Sequence, residues 1–194
     1  MIVAENALPP LMFSELQDHI FSNNFPWYYE NLTNGYDDMN SPYVYQFSHK
    51  VIENEQDYSP QSYQLFRYSI MSILDRLNIN LDKIYRARTN LETVKANRYE
   101  HTPHIDDERD HWAAVLYMND SDGDTIFYDQ RFDKTKGLTW GECLSTIDKF
   151  TIERTITPTS NKIVVFNGDQ YHSSFAPVNT HRRIVVNFNF TIKG

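Results

Sequence analysis

Cysteine is nearly missing from this sequence: Cys143 stands alone among 194 residues. A single thiol excludes an internal disulfide framework and fits a reducing compartment. With no Cys or His at nucleophile or zinc spacing, Cys143 reads as an inert thiol. No apolar run reaches the about 18 residues of a membrane span. The opening Met1-Ile2-Val3-Ala4-Glu5 turns polar too soon for a signal peptide. A cytoplasmic protein with no membrane partner is the expectation. Glycine and proline are scarce, at 6 and 8, which argues against a disordered or low-complexity chain. Dense Lys/Arg runs are also missing and the net charge is −8, so nucleic acid is a disfavoured partner. Nothing in the composition speaks to oligomeric state.

Aromatic residues are plentiful instead, with 13 Tyr and 12 Phe, a composition that favours strands and a large core. The length suits one domain over residues 1–194. Residues 1–10 read as an edge strand ending at Pro9-Pro10. Ser14-Glu15-Leu16-Gln17 has capping-box spacing and predicts a short helix over Leu16, Ile20 and Phe21. Phe25-Pro26-Trp27-Tyr28-Tyr29 is an aromatic packing cluster, followed by a polar stretch from Glu30 to Ser41. Tyr43 to Phe47 alternates as a strand. Ser59-Pro60 opens the clearest helix, with Phe66, Ile70, Ile73, Leu74 and Leu77 at helical spacing.

From residue 83 the pattern turns to strands. Ile84–Thr89 and Thr93–Tyr99 precede Trp112–Met118, which is apolar enough to be buried on both faces. Asp122-Gly123-Asp124 is a turn, and Thr125–Tyr128 reads as the strand returning from it. Residues 129–150 read as a long loop or lid. Ile152–Thr157, Lys162–Phe166, Tyr171–Phe175 and Arg183–Phe190 complete the set. Many short strands with outlying helices predict a mainly β sandwich or jelly roll.

The chemistry concentrates in two places. His104 and Asp106 lie two apart, so an extended backbone puts both on one face. Pro103 stiffens the approach to them. His172 follows the strand and tight turn Phe166-Asn167-Gly168-Asp169, which would aim its ring inward. Two histidines and one carboxylate make a facial triad that leaves octahedral positions open, as non-haem Fe(II) requires to activate O2. In Arg183 to Phe190, alternation places Arg183, Val185, Asn187 and Asn189 on one face and Ile184, Val186, Phe188 and Phe190 on the other. A pocket-facing arginine is costly without an anion, and a guanidinium suits a carboxylate. Arg182 falls on the opposite face by the same parity, which a bulge would invert.

The set His104-x-Asp106, His172 and a basic residue eleven later resembles the 2-oxoglutarate/Fe(II)-dependent dioxygenases, particularly the prolyl-4-hydroxylase-like group. Val115-Leu116-Tyr117-Met118-Asn119 followed by Gly123-Asp124-Thr125-Ile126-Phe127 is similar to that group's Tyr-Leu-Asn … Gly-Gly-x-Thr-x-Phe, with Asp122 in place of the first glycine. Asn161 to Phe166 resembles the strand before the distal histidine, and Pro177 falls where a proline often follows it. The likeness covers about residues 84–190, with 1–80 as a helical flank; Phe25-Pro26-Trp27 resembles small phage-encoded members, for which the compartment would be the host cytosol. The resemblance implies a double-stranded β-helix core. It implies Fe(II) on His104, Asp106 and His172, with 2-oxoglutarate as cosubstrate held by Arg183 and the Tyr117 hydroxyl. Ascorbate would serve as accessory reductant. It implies hydroxylation of a C–H bond with O2, releasing succinate and CO2, on peptidyl proline, another peptide or a small molecule. A cupin-like metal-binding protein and a non-catalytic module on the same fold are the alternatives. His101 and His111 read as surface positions or supports behind the ligands. Asp120-Ser121-Asp122-Gly123-Asp124 hints at a calcium loop, but its glycine is misplaced and the bidentate Glu is missing.

Overall fold

Proline placement decides where both larger helices begin. The computed structural model describes residues 1–32, 41 and 43–193. Strand β1 (Ile2–Ala4) is short, and α1 (Pro10–Phe21) starts with Pro10 in the first turn. A proline there needs no N–H partner and brings a helical φ with it. The helix therefore begins four residues before the capping box expected at Ser14, whose hydroxyl reaches Asp18 at 3.5 Å within the helix. α2 (Pro60–Arg76) starts at the expected Ser59-Pro60. The Ser59 hydroxyl makes no capping bond and lies 2.9 Å from His49 Nε2 instead.

β2 (Tyr28–Glu30), β3 (Gln46–Glu53) and β4 (Gln56–Asp57) lie between the helices. Most of the polar stretch from Glu30 to Ser41 falls outside the described residues. The expected strand over Tyr43–Phe47 starts later, at Gln46. β5 (Leu81–Thr93) is one long strand; the second strand expected over Thr93–Tyr99 does not form. There the chain leaves the sheet, with the Lys95 N–H on the Pro177 carbonyl at 2.8 Å. β6 (Trp112–Tyr117) is buried on both faces, as expected. β7 (Thr125–Arg131) does not return beside β6; it crosses to a second sheet. Residues 129–150 are not one open loop either. They carry the end of β7, a 3-10 turn (Lys134–Lys136) and α3 (Trp140–Ser145), which starts at a capping box of Thr139 and Glu142. β8 (Ile152–Ile156), β9 (Ile163–Asn167), β10 (Gln170–Ser174) and β11 (Arg182–Ile192) follow.

The larger sheet runs β1-β9-β6-β11-β5-β3-β2 with β4 beside β3; the smaller runs β10-β7-β8, and every pairing is antiparallel. Parity along the central strands makes the layers. Ile184, Val186, Phe188 and Phe190 of β11 pack with Phe13, Leu16, Phe66, Ile70 and Leu74 of the helices. Val185, on the other face, joins Tyr117, Phe127 and Phe166 between the sheets. Helices therefore cover one face of the larger sheet, and the smaller sheet covers part of the other. The cleft between the sheets opens beside the polar positions of β11.

Candidate metal centre and cosubstrate pocket

The two remote histidine segments are joined backbone to backbone. His104 and His172 form an isolated antiparallel bridge, each N–H donating to the other's carbonyl at 2.9 Å. Their rings lie 4.6 Å apart by centroid. Asp106, two residues on, turns to the same side, and one ligand atom from each of His104, Asp106 and His172 lies within 4.8 Å of the others. Among the described residues this is the one group of three or more such side chains placed to share an ion.

Each ring is oriented from behind. His104 Nδ1 is 3.0 Å from the Thr102 carbonyl, and His172 Nδ1 is 3.1 Å from that of Gln170. A carbonyl can only accept, so both Nδ1 atoms carry hydrogen, which leaves Nε2 of each ring as the nitrogen for a metal ion. Burial, and then repulsion from His104, holds the His172 imidazole down to about 4, although Asp106 pulls the other way; the ring is neutral at pH 7. Asp106 accepts from Asn187 Nδ2 at 3.2 Å and Asn189 Nδ2 at 2.8 Å, with an Arg86 nitrogen 3.7 Å away. Burial alone would raise that carboxyl. His172, Arg86, His104 and the Asn189 bond outweigh it and hold the group well below the usual carboxylate range. Two imidazoles and an ionised carboxylate turned on one point fit a divalent ion with open octahedral positions.

A pocket runs from His104 and His172 to Arg183. Arg183 is buried, as parity predicts, and its guanidinium is fixed on two sides. Nε donates to the Gly123 carbonyl at 2.8 Å, and one terminal nitrogen donates to Thr125 Oγ1 at 2.9 Å. Gly123 is needed for that approach: a Cβ there would lie 2.9 Å from Arg183 Cδ and 2.7 Å from the Phe175 carbonyl. Arg182 points outward, over the Phe21 ring at 4.6 Å.

Tyr117 stands one layer further back than the sequence suggests. Its fully buried hydroxyl donates to Thr125 Oγ1 at 2.8 Å, and burial raises it to about 12. Thr125, which lines the pocket, thus accepts from both Tyr117 and Arg183 and keeps its own hydrogen to donate.

Neither flanking histidine is at the surface. His101 is 1% exposed, with Nε2 3.3 Å from a carboxylate oxygen of Glu92. His111 is buried with Nδ1 on the Arg109 carbonyl, and its ring occupies the space a Cβ on Gly168 would need, 2.1 Å from Nε2. The acidic turn makes no calcium site: Asp122 accepts from the backbone N–H groups of Val178, Asn179 and Thr180. Cys143 is buried. Sequence reasoning missed Glu92 and gave Thr125, Asn187 and Asn189 no task. The asparagines share the parity of Arg183, which was a signal; Glu92 reaches the pocket only through the β5–β11 register, where it faces Arg183.

No protein-family model matches this sequence, and no curated protein matches it. Solved structures do. An oxidoreductase of the 2OG-Fe(II) oxygenase family from Burkholderia pseudomallei superposes with a TM-score of 0.65 at 12% identity, over 98% of this chain and 84% of that one. A prolyl-4-hydroxylase from Pseudomonas putida gives 0.53 at 14% identity, over 100% and 92%. HygX from Streptomyces hygroscopicus, solved with nickel and 2-oxoglutarate bound, gives 0.58 at 11% identity, over 97% and 81%. The fold is that of the 2-oxoglutarate/Fe(II) oxygenases, a double-stranded β-helix.

Proposed function

We propose that residues 1–194 form one oxygenase domain that uses Fe(II), O2 and 2-oxoglutarate to hydroxylate a C–H bond. The carrying observation is the convergence of His104, Asp106 and His172 at one end of a pocket whose other end presents Arg183. The His172 imidazole is neutral at pH 7 and the Asp106 carboxylate is ionised, so both are ready to meet a metal ion. Asn187 and Asn189 hold Asp106 in place, and the Thr102 and Gln170 carbonyls hold the rings. Arg183 would take the distal carboxylate of 2-oxoglutarate, with the free Thr125 hydrogen as second donor and Tyr117 fixing the Thr125 rotor. When bound together, the metal and its cosubstrate supply oxidative decarboxylation to succinate and CO2 and transfer of one oxygen atom to substrate. The protein's share is to orient the bound groups.

Peptides and small molecules are both within reach of this fold. A prolyl hydroxylase from Trichoplax adhaerens with a peptide fragment bound superposes at a TM-score of 0.55, and HygX with hygromycin B bound at 0.57. Aerobic incubation with Fe(II) and 2-oxoglutarate should release succinate slowly even without a substrate, and His172→Ala should abolish it. Wild-type protein that binds neither iron nor 2-oxoglutarate would refute the proposal.

A further inference from the structure

The cosubstrate end of the pocket contains a carboxylate of its own. Glu92 is 3% exposed and lines the pocket, and strand register sets it directly opposite Arg183. One Glu92 oxygen lies 3.6 Å from Arg183 and 3.3 Å from the Ser174 hydroxyl. The other lies 3.3 Å from His101 Nε2. A site meant only to grip an anion gains nothing from a second, buried anion beside its arginine, since like charges at this range repel strongly where water is excluded. Glu92 does not anchor Arg183 either: the 2.8 and 2.9 Å bonds to Gly123 and Thr125 already do that, and 3.6 Å is too long for a good hydrogen bond.

We propose that Glu92 is a specificity-determining residue of the cosubstrate subsite, an internal counter-anion that competes for Arg183 and is offset by His101. The inference rests on the oxygenase reading above. With a ligand carboxylate in place, two carboxylates flank one guanidinium, and His101 is the described group in contact with Glu92 able to supply the second positive charge. Ligand, Arg183, Glu92 and His101 then form an alternating set of two anions and two cations. The tail carboxylate is held when the set is complete and only weakly when His101 cannot contribute. Arg183 thus acts within a charge balance set by two neighbours, and the pocket's hold on 2-oxoglutarate is moderate by construction.

The test measures binding rather than turnover. Mn(II)-loaded protein is titrated calorimetrically with 2-oxoglutarate and with 2-oxopentanoate, which keeps the keto-acid head and lacks the tail carboxylate. His101→Gln should weaken 2-oxoglutarate about tenfold through the loss of one close charge and leave 2-oxopentanoate unchanged. Glu92→Gln should not weaken 2-oxoglutarate, and in that background His101→Gln should have little further effect. The ratio of the two affinities within one variant is independent of how much protein is folded, so a poorly folding Glu92→Gln leaves His101→Gln decisive. A ratio unmoved by His101→Gln overturns the inference, as does Glu92→Gln losing 2-oxoglutarate selectively. Wild-type protein that binds neither keto acid overturns the oxygenase reading, and this inference with it.

Discussion

The two faces of β11 come from one strand and do opposite work. Ile184, Val186, Phe188 and Phe190 enter the helix-covered core, while Arg183, Asn187 and Asn189 face the cleft. Both sets are buried, so burial alone does not separate them. What separates them is satisfaction. The apolar face is complete once the helices cover it. The Asn187 and Asn189 amides give hydrogens to Asp106 yet keep buried Oδ1 atoms without a partner, and Arg183 lines the pocket as a buried cation. A folded chain tolerates such groups where a ligand completes them.

The largest break in this comparison should come from Phe188→Ala. Phe188 is fully buried and meets Phe66 of α2 at 6.4 Å between ring centroids. Truncating a core phenylalanine costs about 3–5 kcal/mol, readable by urea unfolding. The protein that remains folded should still bind Mn(II) like wild type, because every ligand contact lies on the other face. Comparable losses of metal affinity and stability would show that the two faces are not independent.

One residue away the effect should reverse. Asn189→Ala removes the 2.8 Å bond to Asp106 and leaves the helix-facing core untouched. Losing such a support behind a metal ligand typically costs about 10–100-fold in metal affinity. Stability should fall by only about 1 kcal/mol, the net worth of one hydrogen bond. Calorimetric Mn(II) titration and urea unfolding of the same preparation separate the two. An Asn189→Ala protein with undiminished Mn(II) affinity would demote the asparagine to packing.

Much of this layout is legible in the sequence, for a physical reason. Period-2 alternation is local, so the faces of β11 and the pairing of His104 with Asp106 can be read from adjacent residues. Helix starts at proline are local in the same way. Connectivity is not: β7 follows β6 through the turn at Gly123, yet a hairpin and a crossover share that turn chemistry, and only the packing of Phe127 between the sheets selects the second. Glu92 was invisible, and Thr125 stood in its motif without a task, because each acquires that task from Arg183, 91 and 58 positions away in the chain. The position of the Tyr117 hydroxyl depends on the same long-range placement.

The smallest expected effect tests parity at its finest grain, between adjacent arginines. Arg182 is exposed and lies over Phe21, a contact worth about 0.5–1 kcal/mol at a surface. Arg182→Ala should therefore lower Tm by a few degrees at most and leave 2-oxoglutarate binding to Mn(II)-loaded protein unchanged. Arg183→Ala should weaken that binding strongly, because it removes the pocket's guanidinium while the buried Glu92 carboxylate stays behind with only His101 and Ser174 beside it. The two substitutions delete the same side chain one residue apart. If Arg182→Ala proved the more damaging to 2-oxoglutarate, the register of β11 against β5 would be shifted by one, and the placement of Glu92 opposite Arg183 would fail together with the pocket drawn around them.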